Sequence, residues 1–450
     1  MEIQVGITMP RFMKERLFQN KYKIINMRTL KLITLIFLLS SNIFSQNADD
    51  IILAKKITIQ STVLNEERTI FVSTPIGYDH STDAYPVMYV LDGSENAIRF
   101  TSGLISNLSA VTLCPKMIVV AITNTDRFRD MTPTPYDRNP NRPSGGADKF
   151  LQFMETELFP TIEKEYRTVP YRIIKGHSAS GLCVTHAFLS HNQMFNSYIA
   201  ISPSMWWDSN LFSKTAEEKL GEMNLKLKHF YFSTGSKETS HNIEGAQSFF
   251  EVLSEKNPKD LKWMFDHIQD ENHMSQGTIA MYNALRFIYA DWKFDTQKVR
   301  ANGLSYVDDF CKKQSKIYGY EISPSEAEMT SIGYMILRQQ KYPEAIEIFQ
   351  RNIRNNPKSA NAYDCLGEAY LACEEFDLSV ENYEKADKVW FRMVGHIPVV
   401  KVTIGKKRYY FGIDTGAEIN VIDKRLRKRL PKNLVASDFL GLIMGGDNKE

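Results

Sequence analysis

The segment that most constrains the fold of this chain is residues 176–181, Gly-His-Ser-Ala-Ser-Gly, which separates an apolar strand-like run from an apolar helix-like run. A serine on such a tight turn has a strained backbone and an Oγ exposed at the end of the sheet. The following helix points its N-terminal dipole at Ser178, and the Ala179 amide is placed to donate to a developing oxyanion. The pattern predicts Ser178 as a nucleophile. Ser180 stands where glycine is usual, and a Gly/Ser-rich helix start without chemistry is the alternative interpretation.

The chain around this turn alternates strand-like and helix-like segments over residues 51–292. It begins with an antiparallel pair, residues 56–64 and 68–73. Residues 87–91 and 117–122 are short and nearly all apolar, which is typical of strands buried on both faces. The pattern predicts an α/β sandwich with a mostly parallel central sheet. Its ligand site should lie at the C-terminal ends of the strands, where Ser178 is placed.

The general base is predicted from chain order, which in serine hydrolases with this turn is serine, acid and then histidine. His273 follows the last predicted strand, residues 262–268, in a short polar loop before the closing helix. His186 and His191 lie on the serine's own helix and at its end, so neither can turn back to Ser178. His273 is therefore the predicted base.

The acid that orients this histidine is predicted to be Glu238, at the C-terminal end of the preceding strand. Its role would be to accept the Nδ1–H of His273 and stabilise the imidazolium. Asp266 and Asp270 are the other candidates, and Glu238 could also be an ordinary solvated loop residue.

Five blocks of sequence in this order resemble the putative-esterase branch of the α/β-hydrolases, over about residues 57–292. This branch includes siderophore, feruloyl and acetyl-xylan esterases and S-formylglutathione hydrolase, and the siderophore esterases fit best. The resemblance implies an α/β-hydrolase fold and a serine carboxylic-ester hydrolase without cofactor or metal. Its substrate would be a triscatecholate siderophore ester, a similar small acyl ester or a glycan-linked ester. The blocks are YPVMYVLDG (85–93), NTDRFRDMTP (124–133), GHSASG (176–181), SPSMWW (202–207) and ENH (271–273).

Further site residues are predicted in the loops beside the serine. Asp92 and Gly93 follow an apolar strand, and their backbone amides would complete the oxyanion hole because glycine allows close approach. Arg127 and Arg129 would bind an anionic or catechol-rich acyl group. Alternatively, one of these arginines pairs with a neighbouring aspartate, Asp126 or Asp130, to hold the loop. Trp206 would form an aromatic wall over the serine, or belong to the core together with Trp207.

Composition and the N-terminus limit the remaining functions. The formal charge of +2 gives no general attraction to nucleic acid. The five cysteines contain no C-x-x-C pair, so neither a disulfide framework nor a zinc site is indicated. Residues 27–45 have the basic start and short apolar core of a signal peptide, and residues 1–26 are interpreted as an upstream, non-native start. This predicts an exported protein, periplasmic or extracellular, without a membrane span after cleavage. An uncleaved anchor or buried helix is the alternative.

A 34-residue repeat follows the predicted hydrolase domain, residues 46–295, and a linker with some helix, residues 296–323. In residues 324–392, Gly333 corresponds to Gly367 and Phe349 to Tyr383. The pattern resembles a pair of tetratricopeptide helix hairpins, which would bind a protein partner or serve as a helical spacer.

The tail, residues 393–450, contains a predicted hairpin followed by Asp414-Thr415-Gly416-Ala417, which resembles the active-site turn of retropepsin-like aspartic proteases. Such enzymes need two aspartates that share a proton, and no second motif follows. The tail is therefore predicted to be an incomplete, vestigial lobe. Three classes compete: an exported serine esterase, an interaction protein with a scaffold hydrolase fold, and an aspartic protease. Intact Ser178 and His273 favour the first.

Overall fold

The computed structural model describes residues 52–136, 139, 141–389, 399–404 and 407–412, with only the backbone for residues 80, 387–389, 399–404 and 407–412. The chain divides into two compact units, Met1–Leu53 and Ala54–Glu450, and all elements below belong to the second. The predicted upstream segment, the predicted signal peptide and Asp414 lie outside the described residues.

An eight-stranded, mostly parallel sheet forms the centre of the second unit, in the order β1-β2-β4-β3-β5-β6-β7-β8. The pairs β1/β2 and β2/β4 are antiparallel, which agrees with the predicted antiparallel entry, and the other pairs are parallel. The strands are β1 (Lys55–Ser61), β2 (Glu66–Ser73), β3 (Tyr85–Val90), β4 (Ile118–Ile122), β5 (Thr168–His177), β6 (Ser197–Ile201), β7 (Lys228–Gly235) and β8 (Leu261–Ile268).

Helices cover both faces of this sheet and give it two apolar cores. Side chains alternate along β3, so that Tyr89 packs in one core while Met88 and Val90 pack in the other. The helices are α1 (Glu95–Ala110), α2 (Arg127–Met131), α3 (Ala147–Phe153), α4 (Phe159–Glu165), α5 (Ala179–Ser190), α6 (Trp207–Lys219), α7 (Ser240–Lys256) and α8 (Gly277–Ile288). This is the α/β sandwich with a mostly parallel sheet that the strand pattern predicted, and it has the hydrolase-like arrangement that the family resemblance implied.

The segment predicted to be a linker with some helix contains one long helix, α9 (Thr296–Tyr318), with a break at Gly303 (φ 51°). At its end Tyr318 is 2% exposed. Its ring lies 5.1 Å from that of Tyr289, and its hydroxyl donates to the Ile288 carbonyl at 2.9 Å. Val307, earlier in α9, packs instead in a third cluster with the helices that follow. Therefore α9 joins the sheet domain to the helical region by packing against both.

The helical region consists of α10 (Glu326–Leu337), α11 (Tyr342–Asn355), α12 (Ala360–Ala372) and α13 (Phe376–Val389). Gly333 in α10 faces the ring of Phe349, and Gly367 in α12 faces the ring of Tyr383. The two contacts are equivalent and lie 34 residues apart in the sequence. In each, the absence of a side chain on glycine lets the aromatic ring approach the neighbouring helix. The predicted repeat is therefore present as two similar helix hairpins.

Two further strands, β9 (Val399–Ile404) and β10 (Lys407–Gly412), pair as an antiparallel hairpin where one was predicted. Among the described residues, no helix is long and apolar enough to cross a lipid bilayer.

Candidate active site

The serine turn joins β5 to α5, and Ser178 lies on it with φ 62° and ψ −120°. A non-glycine residue in this region is strained by about 1–3 kcal/mol, and such strain is common where a side chain must be presented for chemistry. A Cβ on Gly176 would overlap the Ser180 carbonyl, so the strand and helix are as close as the sequence predicted. Since Ala179 is the first residue of α5, its amide has no acceptor within the helix.

Ser180, which replaces the usual glycine, holds this turn in place. Its Oγ accepts a hydrogen bond from the His177 amide at 2.7 Å and lies 2.8 Å from Oδ2 of Asp92, to which it donates. The departure from the common motif therefore adds a link between the serine turn and the end of β3.

Asp92 is held from several sides. Arg127 donates to it through Nε at 2.7 Å and through a terminal nitrogen at 2.8 Å, and Asn124 donates at 2.8 Å. Burial raises the pKa of Asp92, but hydrogen bonds from Arg127, Asn124 and Ser180 outweigh burial and leave the pKa below its usual value. Arg127 therefore pairs with Asp92, a partner that the sequence interpretation did not consider.

Gly93 does not supply the predicted oxyanion donor, because its amide donates to the Ile122 carbonyl at 2.7 Å. A Cβ at this position would lie 2.5 Å from the Ile122 amide nitrogen, so the glycine is explained by contact with β4 rather than with a substrate. The Asp92 amide, at a residue with φ 56°, is the remaining predicted donor of this loop.

The sequence left two roles open for Arg129, substrate binding or pairing with a neighbouring aspartate, and the structure shows the second. Its guanidinium binds Glu66 at 2.7 and 3.1 Å and Asp130 at 2.7 Å. The fully buried Arg68 also pairs with Glu66 and Asp130. Arg129 therefore belongs to a structural ion-pair network and is not retained as a substrate contact.

His273 and Glu238 meet at the ends of β7 and β8, with Nδ1 of His273 2.8 Å from Oε2 of Glu238. The Glu238 side chain is fully buried. It accepts further hydrogen bonds from the Gly235 amide at 2.8 Å, from Asn242 at 2.7 Å and from Gln276. Burial raises the pKa of Glu238, but hydrogen bonds from His273, Ser202, Gly235 and Asn242 outweigh it and hold the pKa far below its usual range. Glu238 therefore remains an anion beside the imidazole.

The two other candidate acids lie elsewhere. Asp266 accepts from the Tyr231 hydroxyl at 2.5 Å and from Asn283 at 2.8 Å, and Asp270 forms an exposed ion pair with Lys237 at 3.0 Å. The geometry pairs His273 with Glu238, as the chain order suggested.

Two polar side chains at the site were missed by the sequence interpretation. His177 has its Nε2 2.7 Å from the His273 carbonyl, and burial is the main cause that lowers its pKa to about 4. A neutral His177 therefore donates to this carbonyl and ties the serine turn to the His273 loop. Ser202, with φ 42°, has its Oγ 2.6 Å from Glu238 and 2.7 Å from Nδ1 of His273. Their positions, directly before Ser178 and at the end of β6, were the available signals.

The two tryptophans have different environments. Trp207 is buried against Phe128 and Tyr136, and its indole nitrogen donates to Thr134 at 2.8 Å, so it is a core residue. Trp206 is half-buried and donates to Asn242 at 2.7 Å. Because Asn242 in turn donates to Glu238, Trp206 lies beside the acid of the pair.

Replacing Ser180 by alanine should lower the free energy of unfolding by about 1–3 kcal/mol, because the His177 amide and Asp92 lose a partner in a partly buried site. Denaturant titration of the wild type and variant measures this difference. Ser254→Ala, an exposed serine in α7, is the matched control and should change stability by less than about 0.5 kcal/mol. An unchanged denaturant midpoint of unfolding for Ser180→Ala would show that water replaces the hydrogen bonds of the Ser180 hydroxyl.

Comparisons with known proteins show which proteins this chain resembles. Residues 61–280 match the family described as Putative esterase. The chain is 29% identical over 251 residues to ferri-bacillibactin esterase BesA of Bacillus subtilis, covering 50% of this chain and 86% of the relative. It is 32% identical over 177 residues to apo-salmochelin esterase of Escherichia coli, covering 36% of this chain and about half of that relative, 54%. The crystal structure of an IroE-like serine hydrolase from Shewanella oneidensis superposes with a TM-score of 0.60 at 28% identity, covering 67% of this chain and 99% of that one.

Proposed function

We propose that this carboxylic ester hydrolase, whose residues 61–280 match the Putative esterase family, cleaves its substrate through an acyl-enzyme on Ser178. The observation that carries the proposal is the His273–Glu238 pair at 2.8 Å, in a loop that the His177 contact ties to the strained turn bearing Ser178. With Nδ1 held by Glu238, Nε2 of His273 is the nitrogen left to take the proton of the Ser178 hydroxyl.

The reaction would proceed in two halves. Ser178 Oγ attacks the ester carbonyl while His273 removes its proton, and the amides of Ala179 and Asp92 stabilise the oxyanion. His273 then gives the proton to the leaving alcohol. In the second half His273 activates a water that hydrolyses the acyl-enzyme and frees Ser178. Glu238 keeps the imidazole in the correct tautomer and stabilises its charged form.

The proposed substrate is a triscatecholate siderophore ester or a similar acyl ester. The names of two relatives, a ferri-bacillibactin esterase and an apo-salmochelin esterase, support this class. The half-buried indole of Trp206, beside the acid, offers an aromatic surface for a catechol ring. The Arg127 side chain is 41% exposed and would also contact an anionic acyl group, although Asp92 is its main partner.

The substrate class is tested by incubating the purified protein with a triscatecholate trilactone, with and without ferric iron, and separating the products by chromatography. A feruloyl sugar and acetylated xylan are the competing substrates, and p-nitrophenyl acetate reports general esterase activity. We expect the trilactone to give the highest kcat/KM. A higher kcat/KM on the feruloyl sugar or acetylated xylan would instead establish a polysaccharide esterase.

Two further parts of the proposal concern the regions around the hydrolase. Residues 27–45 support export to the periplasm or the cell exterior. The two helix hairpins support a tetratricopeptide-like region that binds a protein partner. The equivalent glycine–ring contacts of Gly333 and Gly367 favour this over an irregular spacer.

A further inference from the structure

A second cluster of polar side chains lies near the C-terminal end of α5, whereas Ser178 lies at its N-terminal end. Asp148 is in the first turn of α3, His186 is in α5, and His191 ends α5. Nε2 of His186 lies 2.6 Å from Oδ1 of Asp148, and Nε2 of His191 lies 2.9 Å from the same oxygen. His186 is eight residues beyond Ser178, or about 12 Å along the helix axis, so this cluster is separate from the ester site.

The end of α5 brings the two imidazoles together. In a straight helix, residues five apart point about 140° away from each other around the axis. His191 has a non-helical backbone, with φ −135° and ψ 43°, so the chain turns there. The two rings lie 5.7 Å apart, and both nitrogens reach one carboxylate. This convergence depends on the helix ending at His191.

The geometry of the three groups suits a transition-metal ion. The ligand atoms of Asp148, His186 and His191 all lie within 4.8 Å of one another. Around tetrahedral zinc, with bonds near 2.0–2.1 Å, neighbouring ligand atoms are about 3.3 Å apart. The two nitrogen–oxygen distances of 2.6 and 2.9 Å would need to lengthen by less than about 1 Å.

We propose that Asp148, His186 and His191 form a binding site for Zn²⁺. Two imidazole nitrogens and one carboxylate select zinc and its neighbours over magnesium and calcium, which prefer oxygen ligands. Each histidine would coordinate through Nε2 and carry its proton on Nδ1. Three protein ligands leave one position for water. The Asp148 side chain is 66% exposed, so the ion can enter directly from solvent.

The ion would stabilise the fold and leave the ester chemistry unchanged. Asp148 and His186 are 38 residues apart in the chain and lie on different helices, so one ion would link α3 to the end of α5. A ligand that binds only the folded state raises the melting temperature as its concentration exceeds Kd. Without zinc, the same three groups form an ordinary pair of imidazole–carboxylate hydrogen bonds.

The test uses the full chain after removal of metal with a chelator, titrated with Zn²⁺ against a chromophoric zinc indicator. We expect one equivalent to bind with a Kd on the order of 1 μM or tighter, and the melting temperature to rise by several degrees. Asp148→Asn and His191→Gln should each weaken this binding at least tenfold and abolish the thermal shift, while ester turnover stays unchanged. Cobalt(II) should give ligand-field bands in the wild type that both variants lose.

Two matched histidine variants separate this site from others. His267→Ala removes an exposed histidine elsewhere and should leave zinc affinity unchanged, and His273→Ala tests binding at the ester site. Absence of zinc binding by the wild type, or equal affinity in Asp148→Asn, would overturn the proposal. Loss of the bound equivalent in His273→Ala but not in His191→Gln would also overturn it, because the metal would then sit at the catalytic pair.

Discussion

Replacing Ser178 by alanine should reduce kcat for ester hydrolysis by about 10⁴-fold or more, because no other group can form the acyl-enzyme. The fold should be preserved. Alanine carries a Cβ as serine does, so the backbone strain at φ 62° is about the same in the variant and gives the turn no new reason to change its conformation. The measurements are turnover of p-nitrophenyl acetate and of a triscatecholate trilactone, together with denaturant titration to show that the variant is folded.

Covalent labelling identifies the nucleophile independently of turnover. A fluorophosphonate should add one mass equivalent to the wild type, on the peptide that contains Ser178, and none to Ser178→Ala. Ser204→Ala, in the loop after β6, is the matched control and should label and turn over normally. Persistent labelling of Ser178→Ala at another serine would show that the nucleophile had been assigned to the wrong residue.

The sequence was sufficient for the fold because the signals were local. Buried strands such as β3 and β4 are continuous apolar runs, and the serine turn needs small residues wherever a strand and helix pass closely. Chain order then selected His273 and Glu238. These predictions depend on neighbours in sequence, or on the rule that parallel strands end at one edge of the sheet.

The roles that sequence could not assign depend on contacts between distant segments. The Gly93 amide donates to the Ile122 carbonyl because β3 lies beside β4, so it is not free to bind an oxyanion. Arg127 finds its partner 35 residues away, at Asp92, rather than in its own loop. The sequence offers both Asp266 and Glu238 as the acid, but the Asp266 side chain lies within β8 and accepts a hydrogen bond from Tyr231. Strand pairing and side-chain direction decide each case, and neither is visible in a single sequence.

The helix α9 illustrates the same limit. Its polar composition suggested a linker with some helix, yet Tyr318 at its end fills a pocket of aromatic rings beside Tyr171 and Tyr289. Tyr318 fixes the end of the helix against the sheet domain, while Val307 and Cys311 pack with the helices that follow. The sequence pattern of a mostly polar helix does not show which of its few apolar side chains will be buried.

Replacing His273 by alanine should lower kcat about as much as Ser178→Ala does, and the double variant should be no slower than either single variant. Residues that act as one unit show this non-additivity, because removing either one leaves only binding and oxyanion stabilisation. His267→Ala and His241→Ala, two exposed histidines, are the controls and should retain normal turnover. Near-normal kcat in His273→Ala would move the general base to one of these residues.

Glu238→Ala should be milder than His273→Ala by roughly 10- to 100-fold in kcat, because Glu238 orients the imidazole and does not itself react. The loss should appear in kcat rather than in KM, since Glu238 is fully buried and does not face the substrate. Stability should fall as well, because Ser202, Asn242 and Gln276 lose a shared acceptor. Kinetics must therefore be measured on protein shown to be folded by denaturant titration. A folded Glu238→Ala variant with wild-type kcat would mean that Ser202, also in contact with Nδ1 of His273, is sufficient to orient the base.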